Sequence, residues 1–350
     1  MRLRTAALLA VLPLLLGWRW RRHASRSAEL KPGVFVMPRD GHRPVVAAID
    51  GARRSVVMTM YRLTDPRVVD ALKAARRRGA EVRVILDAQS LAGREEAWAA
   101  RRLRDAGVLV RPSSPGFSIT HEKALVVDGT RVLVMSANMT RGASRTRDYG
   151  VVVDDPGLAA EVAVVFEADW SNAMTQAADT PPLSRPELLW SPVDSETGLV
   201  ALIASAKKEL AVETENLGDP AVEDALAKAA ARGVRVRVVV PTCDLNPDPL
   251  RNYPELKRLA AGGAAVRTAP YPTGPRQPYV HAKALVVDGT RAYVGSANLS
   301  LNSLTRAREL GIVVSEPAWA GEVLRTFEED WARSGPPLDP PPSFCPLPGD

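Results

Sequence analysis

Residues 121–140 read HEKALVVDGTRVLVMSANMT, and residues 281–300 read HAKALVVDGTRAYVGSANLS. The two stretches agree at 14 of 20 positions and lie 160 residues apart, so the chain carries an internal repeat. Each copy begins with a histidine two residues before a lysine and then runs through an apolar segment to Asp-Gly. Duplication alone would keep apolar positions as well as polar ones, yet here the polar set survives in both copies.

The repeat reaches well outside this stretch. ARRSVVMTMYRLTDPRVVDALKAARRRGAEVRVILD (52–87) matches AKKELAVETENLGDPAVEDALAKAAARGVRVRVVVP (206–241). Each reads as strand, Asp-Pro turn, amphipathic helix, glycine and strand. Asp65 and Asp219 suit helix N-caps, Pro66 and Pro220 the first helical position, and Gly79 and Gly233 the C-terminal stop. DDPGLAAEVAVVFEADW (154–170) matches SEPAWAGEVLRTFEEDW (315–331), a further helix ending in Asp-Trp. Alternating strands and helices predict an α/β fold of two duplicated lobes, each a mostly parallel sheet flanked by helices. The expected boundaries are 33–175 for lobe 1 and 195–334 for lobe 2, with a linker at 176–194 and a Pro-rich tail at 335–350.

The N-terminus carries Arg2 and Arg4 before an apolar run from Ala6 to Trp18. That run is too short for a bilayer, which needs about 20 residues, and it suits the core of an export signal. Residues 1–28 are therefore expected to be a signal peptide or, alternatively, a short membrane anchor. The expected location is secreted, periplasmic or cell-envelope. RWRRH directly after the run, and the lack of a clean A-x-A cleavage site, stand against export, but the cleaved signal is the preferred reading.

Of 350 residues, 46% are hydrophobic and 25% charged, so a packed core is expected and global disorder is not. A net charge of +6 favours anionic partners such as phosphates, nucleic acid or an anionic membrane surface. Aromatic content of 5% argues against a single-strand binder built on stacked bases. Two cysteines, Cys243 and Cys345, make neither a disulfide framework nor a zinc site. No His, Cys, Asp and Glu cluster at metal-ligand spacing, so the chemistry is expected to need no metal and no cofactor. No obligate protein partner is expected.

Within the quoted stretch, strand alternation puts His121 and Lys123 on one face. Asp128-Gly129 reads as a two-residue hairpin loop. With that loop, His121 lies opposite Ser136, and Ser136 and Asn138 share its face. The second copy places His281, Lys283, Ser296 and Asn298 in the same way. A three-residue loop would reverse the parity. Lysine, serine and asparagine supply donors to nonbridging phosphate oxygens, and histidine supplies a nucleophile or proton carrier. Two such clusters face to face would hold one phosphodiester between two imidazoles, one attacking phosphorus and one protonating the departing oxygen. Asp128 and Asp288 sit at the turns and read as hairpin structure. Asp148 (in TRDYG) and Glu309 (in ARELG) are the candidates to orient the imidazoles, with the pairing left open.

These residues resemble the phospholipase D superfamily, whose signature HxKxxxxDxxxxxxGSxN appears as His121, Lys123, Asp128, Ser136, Asn138 and again as His281, Lys283, Asp288, Gly295, Ser296, Asn298. The resemblance implies a bilobal α/β/α fold with the active site at the pseudo-twofold interface. It also implies a metal-independent phosphohistidine mechanism with His121 as nucleophile and His281 as general acid. The first copy departs from the signature at Met135, where glycine is the rule. Met135 falls on the face opposite Ser136 and is expected to enter the core.

The reaction expected is phospholipase D-type hydrolysis of a glycerophospholipid at a membrane surface to phosphatidate and head group, with transfer to an alcohol open. The alternatives are a nuclease, a cardiolipin-synthase-like phosphatidyltransferase and an inactive scaffold. Arg141, Arg145, Arg147, Arg306 and Arg308 would serve a nucleic acid or an anionic lipid. The loop before the second motif, with Tyr253, Tyr271 and Tyr279, is a candidate wall for lipid entry.

Overall fold

The computed structural model describes residues 30–243, 251–271 and 277–338. The N-terminal segment 1–28, Cys345 and most of the tail lie outside them. The first repeat runs β1 (Gly33–Met37), α1 (Arg43–Gly51), β2 (Ser55–Met60), α2 (Pro66–Arg77), β3 (Glu81–Leu86), α3 (Arg94–Asp105), β4 (Leu109–Pro112), β5 (Lys123–Val127), β6 (Arg131–Met135), β7 (Thr146–Asp154) and α4 (Pro156–Thr175). The second runs β8 (Leu188–Ser191), α5 (Ser195–Ala204), β9 (Glu209–Thr214), β10 (Leu217–Gly218), α6 (Pro220–Ala231), β11 (Arg235–Pro241), α7 (Tyr253–Ala261), β12 (Ala265–Ala269), β13 (Tyr279–Val280), β14 (Lys283–Val287), β15 (Arg291–Gly295), β16 (Leu299–Ser300), α8 (Leu301–Thr305), β17 (Glu309–Val314) and α9 (Pro317–Arg333).

Local chemistry accounts for the elements. Val-rich β2 and β3 bury nearly every residue, as strands covered on both faces do. Asp65 caps α2 by accepting from the Arg67 N–H, and Asp219 caps α6 by accepting from that of Val222. Gly79 and Gly233 leave those helices at φ +97° and +86°, conformations costly for any side chain.

Strand order in the first sheet is β1-β7-β6-β5-β2-β3-β4, and in the second β8-β17-β15-β14-β9-β11-β12. The two are the same sheet written twice. Along these two orders the parallel neighbours are β2-β3-β4 and β9-β11-β12, where helices make the crossovers. The other neighbours in each order are antiparallel. Each sheet is therefore mixed rather than mostly parallel, because the tight hairpin at the motif can join only antiparallel strands. Residues 188–191, read from sequence as linker, form β8, which pairs with β17 as β1 pairs with β7.

Three apolar clusters form the interior. One lies under α1, α2 and α3, one under α5, α6 and α7. The middle cluster takes Val126, Val134 and Tyr149 from the first repeat, Val286, Val294 and Leu310 from the second, and buried faces of α4 and α9. Both lobes thus share one core. No described helix is long and apolar enough to cross a membrane.

The lobes are also stitched crosswise. β13 of the second repeat pairs with the start of β7 in the first. The His121 N–H donates to the Arg308 carbonyl at 2.9 Å, and the His281 N–H to the Arg147 carbonyl at 3.1 Å. Buried Arg147 pairs with Asp330 of α9, and buried Arg308 with Asp169 of α4. These arginines hold the lobes together, which corrects their expected role in contacting a polyanion.

Candidate active site

The hairpin that presents each motif is one residue longer than its Asp-Gly suggests. Thr130 N–H does donate to the Val127 carbonyl at 3.1 Å, with φ +54° at Asp128 and +66° at Gly129. Strand pairing, however, resumes at Val127 with Arg131, and at Val287 with Arg291. Thr130 and Thr290 are the extra residues, and each reverses the parity of its returning strand. Ser136 accordingly leaves the face expected for it beside His121.

Asp128 accepts from the main-chain N–H groups of Arg53, Arg54 and Ser55 at 3.0, 2.7 and 2.9 Å. Asp288 does the same with Lys207, Lys208 and Glu209 at 3.0, 2.8 and 3.0 Å. These carboxylates tie the turn to the strand beside it and stand away from the histidines. Met135 is fully buried in the core with Leu133. In the second lobe Tyr293 replaces Leu133, and a Cβ on Gly295 would meet its hydroxyl at 2.5 Å and Gly311 Cα at 2.6 Å. The tyrosine occupies the room that methionine uses in the first lobe, so the departure at Met135 is a packing exchange.

Each histidine is oriented by the other lobe. His121 Nδ1 lies 3.0 and 3.1 Å from the two Glu309 oxygens, and His281 Nδ1 lies 2.8 Å from Asp148 Oδ1. Glu309 follows Arg308 and Asp148 follows Arg147, whose carbonyls accept the histidine N–H groups, so the main-chain stitch sets the crossed pairing. Both carboxylates are buried. Burial works to raise their pKa values, but the paired imidazole and its hydrogen bond, the nearby lysine and a serine hydroxyl together outweigh it, and both acids are held below the usual range. An ionised acceptor fixes the proton on Nδ1 and leaves Nε2 for chemistry. Burial also lowers the His121 pKa, with Lys123 and Lys283 assisting and Glu309 opposing, so this imidazole is neutral at pH 7.

Ser136 and Ser296, expected to bind phosphate, support this arrangement instead. The Ser136 hydroxyl donates to Asp148 Oδ1 at 2.6 Å and accepts from the Tyr149 N–H at 3.0 Å. Ser296 accepts from the Leu310 N–H at 3.1 Å and helps to keep Glu309 ionised. The carboxamide oxygens of Asn138 and Asn298 are buried with no partner among the described residues.

Fully buried Lys123 donates to the His121 carbonyl at 2.6 Å and stands 5.1 Å from the Tyr61 ring centre. Burial brings its ammonium down to a pKa of about 7. Lys283, also fully buried, donates to the His281 carbonyl and to Glu215 Oε2 at 2.9 Å.

Glu215 and Tyr61 were missed in the sequence. They occupy one place in the repeat, and the signal available was a glutamate just past the strand end, standing where the other copy has tyrosine. Tyr61 packs on His121 with ring centres 4.6 Å apart. Glu215 Oε2 lies 3.6 Å from His281 Nε2, and its charge also acts on His121, so the two half-sites form one electrostatic unit. Of the three candidate lipid-wall tyrosines, Tyr253 and Tyr279 are buried, and Tyr279 donates to Glu215 at 3.0 Å. Residues 244–250 and 272–276 of that loop lie outside the described residues.

Two imidazoles, each paired with a carboxylate of the opposite lobe, are brought together with two lysines and two asparagines at a pseudo-twofold interface between the lobes. A family profile described as "Cardiolipin synthase, PLD-like domain" matches residues 45–170 and 199–331. The chain belongs to the phospholipase D superfamily. It is 28% identical over 330 residues to cardiolipin synthase A of Pseudomonas aeruginosa, covering 82% of this chain and 64% of that protein. It is 27% identical over 201 residues to phospholipase D Z of Dictyostelium discoideum, covering 52% of this chain and 46% of that one. The chain thus spans about half to two thirds of the length of these relatives. Phosphatidylserine synthase of Haemophilus influenzae superposes with a TM-score of 0.67 at 14% identity, covering 87% of both chains, and shares the fold.

Proposed function

We propose that the chain cleaves the phosphodiester of a glycerophospholipid at a membrane surface through a phosphohistidine on His121, and passes the phosphatidyl group to an alcohol. The crossed carboxylate–histidine pairs carry this reading, since they fix both Nε2 atoms as the reactive positions. In the first step the His121 Nε2 lone pair forms a bond to phosphorus. The bond from phosphorus to the departing oxygen breaks, and that oxygen takes the Nε2 proton of His281. In the second step the acceptor hydroxyl gives its proton back to His281, its oxygen bonds phosphorus, and the nitrogen–phosphorus bond breaks. Lys123, Lys283, Asn138 and Asn298 surround the phosphoryl oxygens with donors.

The name of the Pseudomonas relative, matched over 82% of this chain, supports an alcohol acceptor. Water as acceptor is the second reading, supported by the likeness to a phospholipase D. The nuclease reading loses two of its expected contacts, because Arg147 and Arg308 are buried in ion pairs. The N-terminal apolar segment fits delivery to, or anchoring at, the envelope.

The test is product analysis by mass spectrometry with phosphatidylglycerol vesicles in EDTA, beside plasmid DNA. Free glycerol with a lipid carrying two phosphatidyl groups supports transfer, and glycerol with phosphatidate supports hydrolysis. Plasmid nicking without lipid turnover would overturn both.

A further inference from the structure

The two half-sites differ in charge where Tyr61 stands opposite Glu215, and also at buried Glu122, whose counterpart is Ala282. The Tyr61 N–H donates to the Glu122 carbonyl at 3.1 Å, and the Glu215 N–H to the Ala282 carbonyl at 3.0 Å, so these residues are equivalent. Tyr61 lays an uncharged ring against His121. Glu215 instead puts an anion 2.9 Å from Lys283 Nζ and 3.6 Å from His281 Nε2. Its second oxygen accepts from the Tyr279 hydroxyl at 3.0 Å, which keeps the carboxylate from swinging away. With Nδ1 of His281 committed to Asp148, Nε2 is the atom that would either give up a proton or attack phosphorus.

Resting on the phosphohistidine reading, we infer that Glu215 is the positioning residue that assigns the two histidines their roles, keeping His281 as proton donor and leaving attack on phosphorus to His121. Three consequences of its charge point the same way. An anion beside Nε2 stabilises the imidazolium that donates the proton. The same anion repels the nonbridging oxygens of a phosphodiester approaching that nitrogen. It also neutralises Lys283, whereas Lys123 has no carboxylate partner among the described residues and remains available to the substrate. The groups facing His281 are Asp148 from β7, Glu215 beyond β9 and Lys283 on β14. Those facing His121 are Glu309 from β17, Lys123 on β5, Lys283 and the Tyr61 ring.

The experiment uses the p-nitrophenyl ester of a short-chain phosphatidate, whose leaving group departs without an acid. Either histidine can then be labelled without help from the other. The adduct is located by peptide mass spectrometry after an alkaline quench. The wild-type protein is expected to carry label on His121 alone. His121→Ala is expected to leave His281 unlabelled over at least a hundred wild-type labelling times. Adding Glu215→Gln to that variant should accelerate labelling of His281 at least tenfold, and adding Glu215→Asp instead should keep it silent. Tyr61→Glu, the reciprocal change at a less buried position, should slow labelling of His121 at least tenfold and keeps the proposal testable should Glu215→Gln fail to fold. Labelling of His281 in His121→Ala at near wild-type rate would overturn the proposal. So would Tyr61→Glu and the Glu215→Gln pair both leaving the rates unchanged. Wild-type turnover with no histidine labelled would instead bring down the phosphohistidine reading beneath it.

Discussion

Replacing Glu309 with glutamine removes one charge and adds one donor at a fully buried point while barely changing volume. The wild-type oxygens lie 3.0 and 3.1 Å from His121 Nδ1. A hydrogen bond to a charged group contributes about 1.5–3 kcal/mol net, so neutralising this one alone slows attack about 10- to 150-fold. The glutamine N–H can also donate to Nδ1, moving the ring proton to Nε2 and removing the lone pair that attacks phosphorus. In the serine-protease triad the comparable tautomer error costs about 10⁴ in kcat, so the expected loss here lies between about 10² and 10⁴. The assay compares two esters of the same phosphatidate, one with glycerol and one with p-nitrophenol as leaving group. A defect in the nucleophile slows both equally, so Glu309→Gln should lower both rates by one factor. Asp148→Asn should slow the glycerol ester far more, because it disables the proton donor. A Glu309→Gln defect confined to the glycerol ester would reverse the roles of the two histidines. Unchanged rates on both esters would show that the crossed pair does not orient the nucleophile.

Ser136→Ala should lower kcat about tenfold with KM unchanged, because the hydroxyl serves Asp148 rather than substrate; a rise in KM alone would restore it to the phosphate. Asp128→Ala removes three main-chain hydrogen bonds at a partly exposed turn, so urea unfolding should show a loss of about 2 kcal/mol with kcat of the folded protein intact. The pH profile of kcat/KM should fall on the acid side below the ordinary histidine value of 6.5, where His121 gains a proton and loses its lone pair. On the alkaline side it should begin to fall at about pH 7, where Lys123 loses its charge, and Lys123→Arg should move that limb upward.

The doubled motif, the Asp-Pro helix starts and the turn role of Asp128 and Asp288 were legible because each is local chemistry at fixed spacing. The parity of the hairpin was not, because Asp-Gly marks a tight turn without saying whether the next residue bulges, and Thr130 does. That one residue moved Ser136 from the expected phosphate face to Asp148. The acids Asp148 and Glu309 could be picked out by their matching distances from the motif aspartates. Their crossing could not, since it depends on the Arg308 and Arg147 carbonyls holding the opposite lobe's histidine N–H. Arg147 and Arg308 read as contacts for a nucleic acid or an anionic lipid, although the repeated Asp-Trp of α4 and α9 held their partners, Asp169 for Arg308 and Asp330 for Arg147. Glu215 escaped because alignment of the repeats weights agreement, and its importance lies in a difference from Tyr61.

The account stands on one phosphorus lying between two imidazoles from different lobes. A crystal structure with orthovanadate, which mimics a five-coordinate phosphorus, is the direct measurement. One vanadate per chain is predicted, bonded to His121 Nε2, with its opposite apical oxygen in hydrogen-bonding distance of His281 Nε2. Two vanadates per chain, each bound to one histidine in its own cavity, would contradict it.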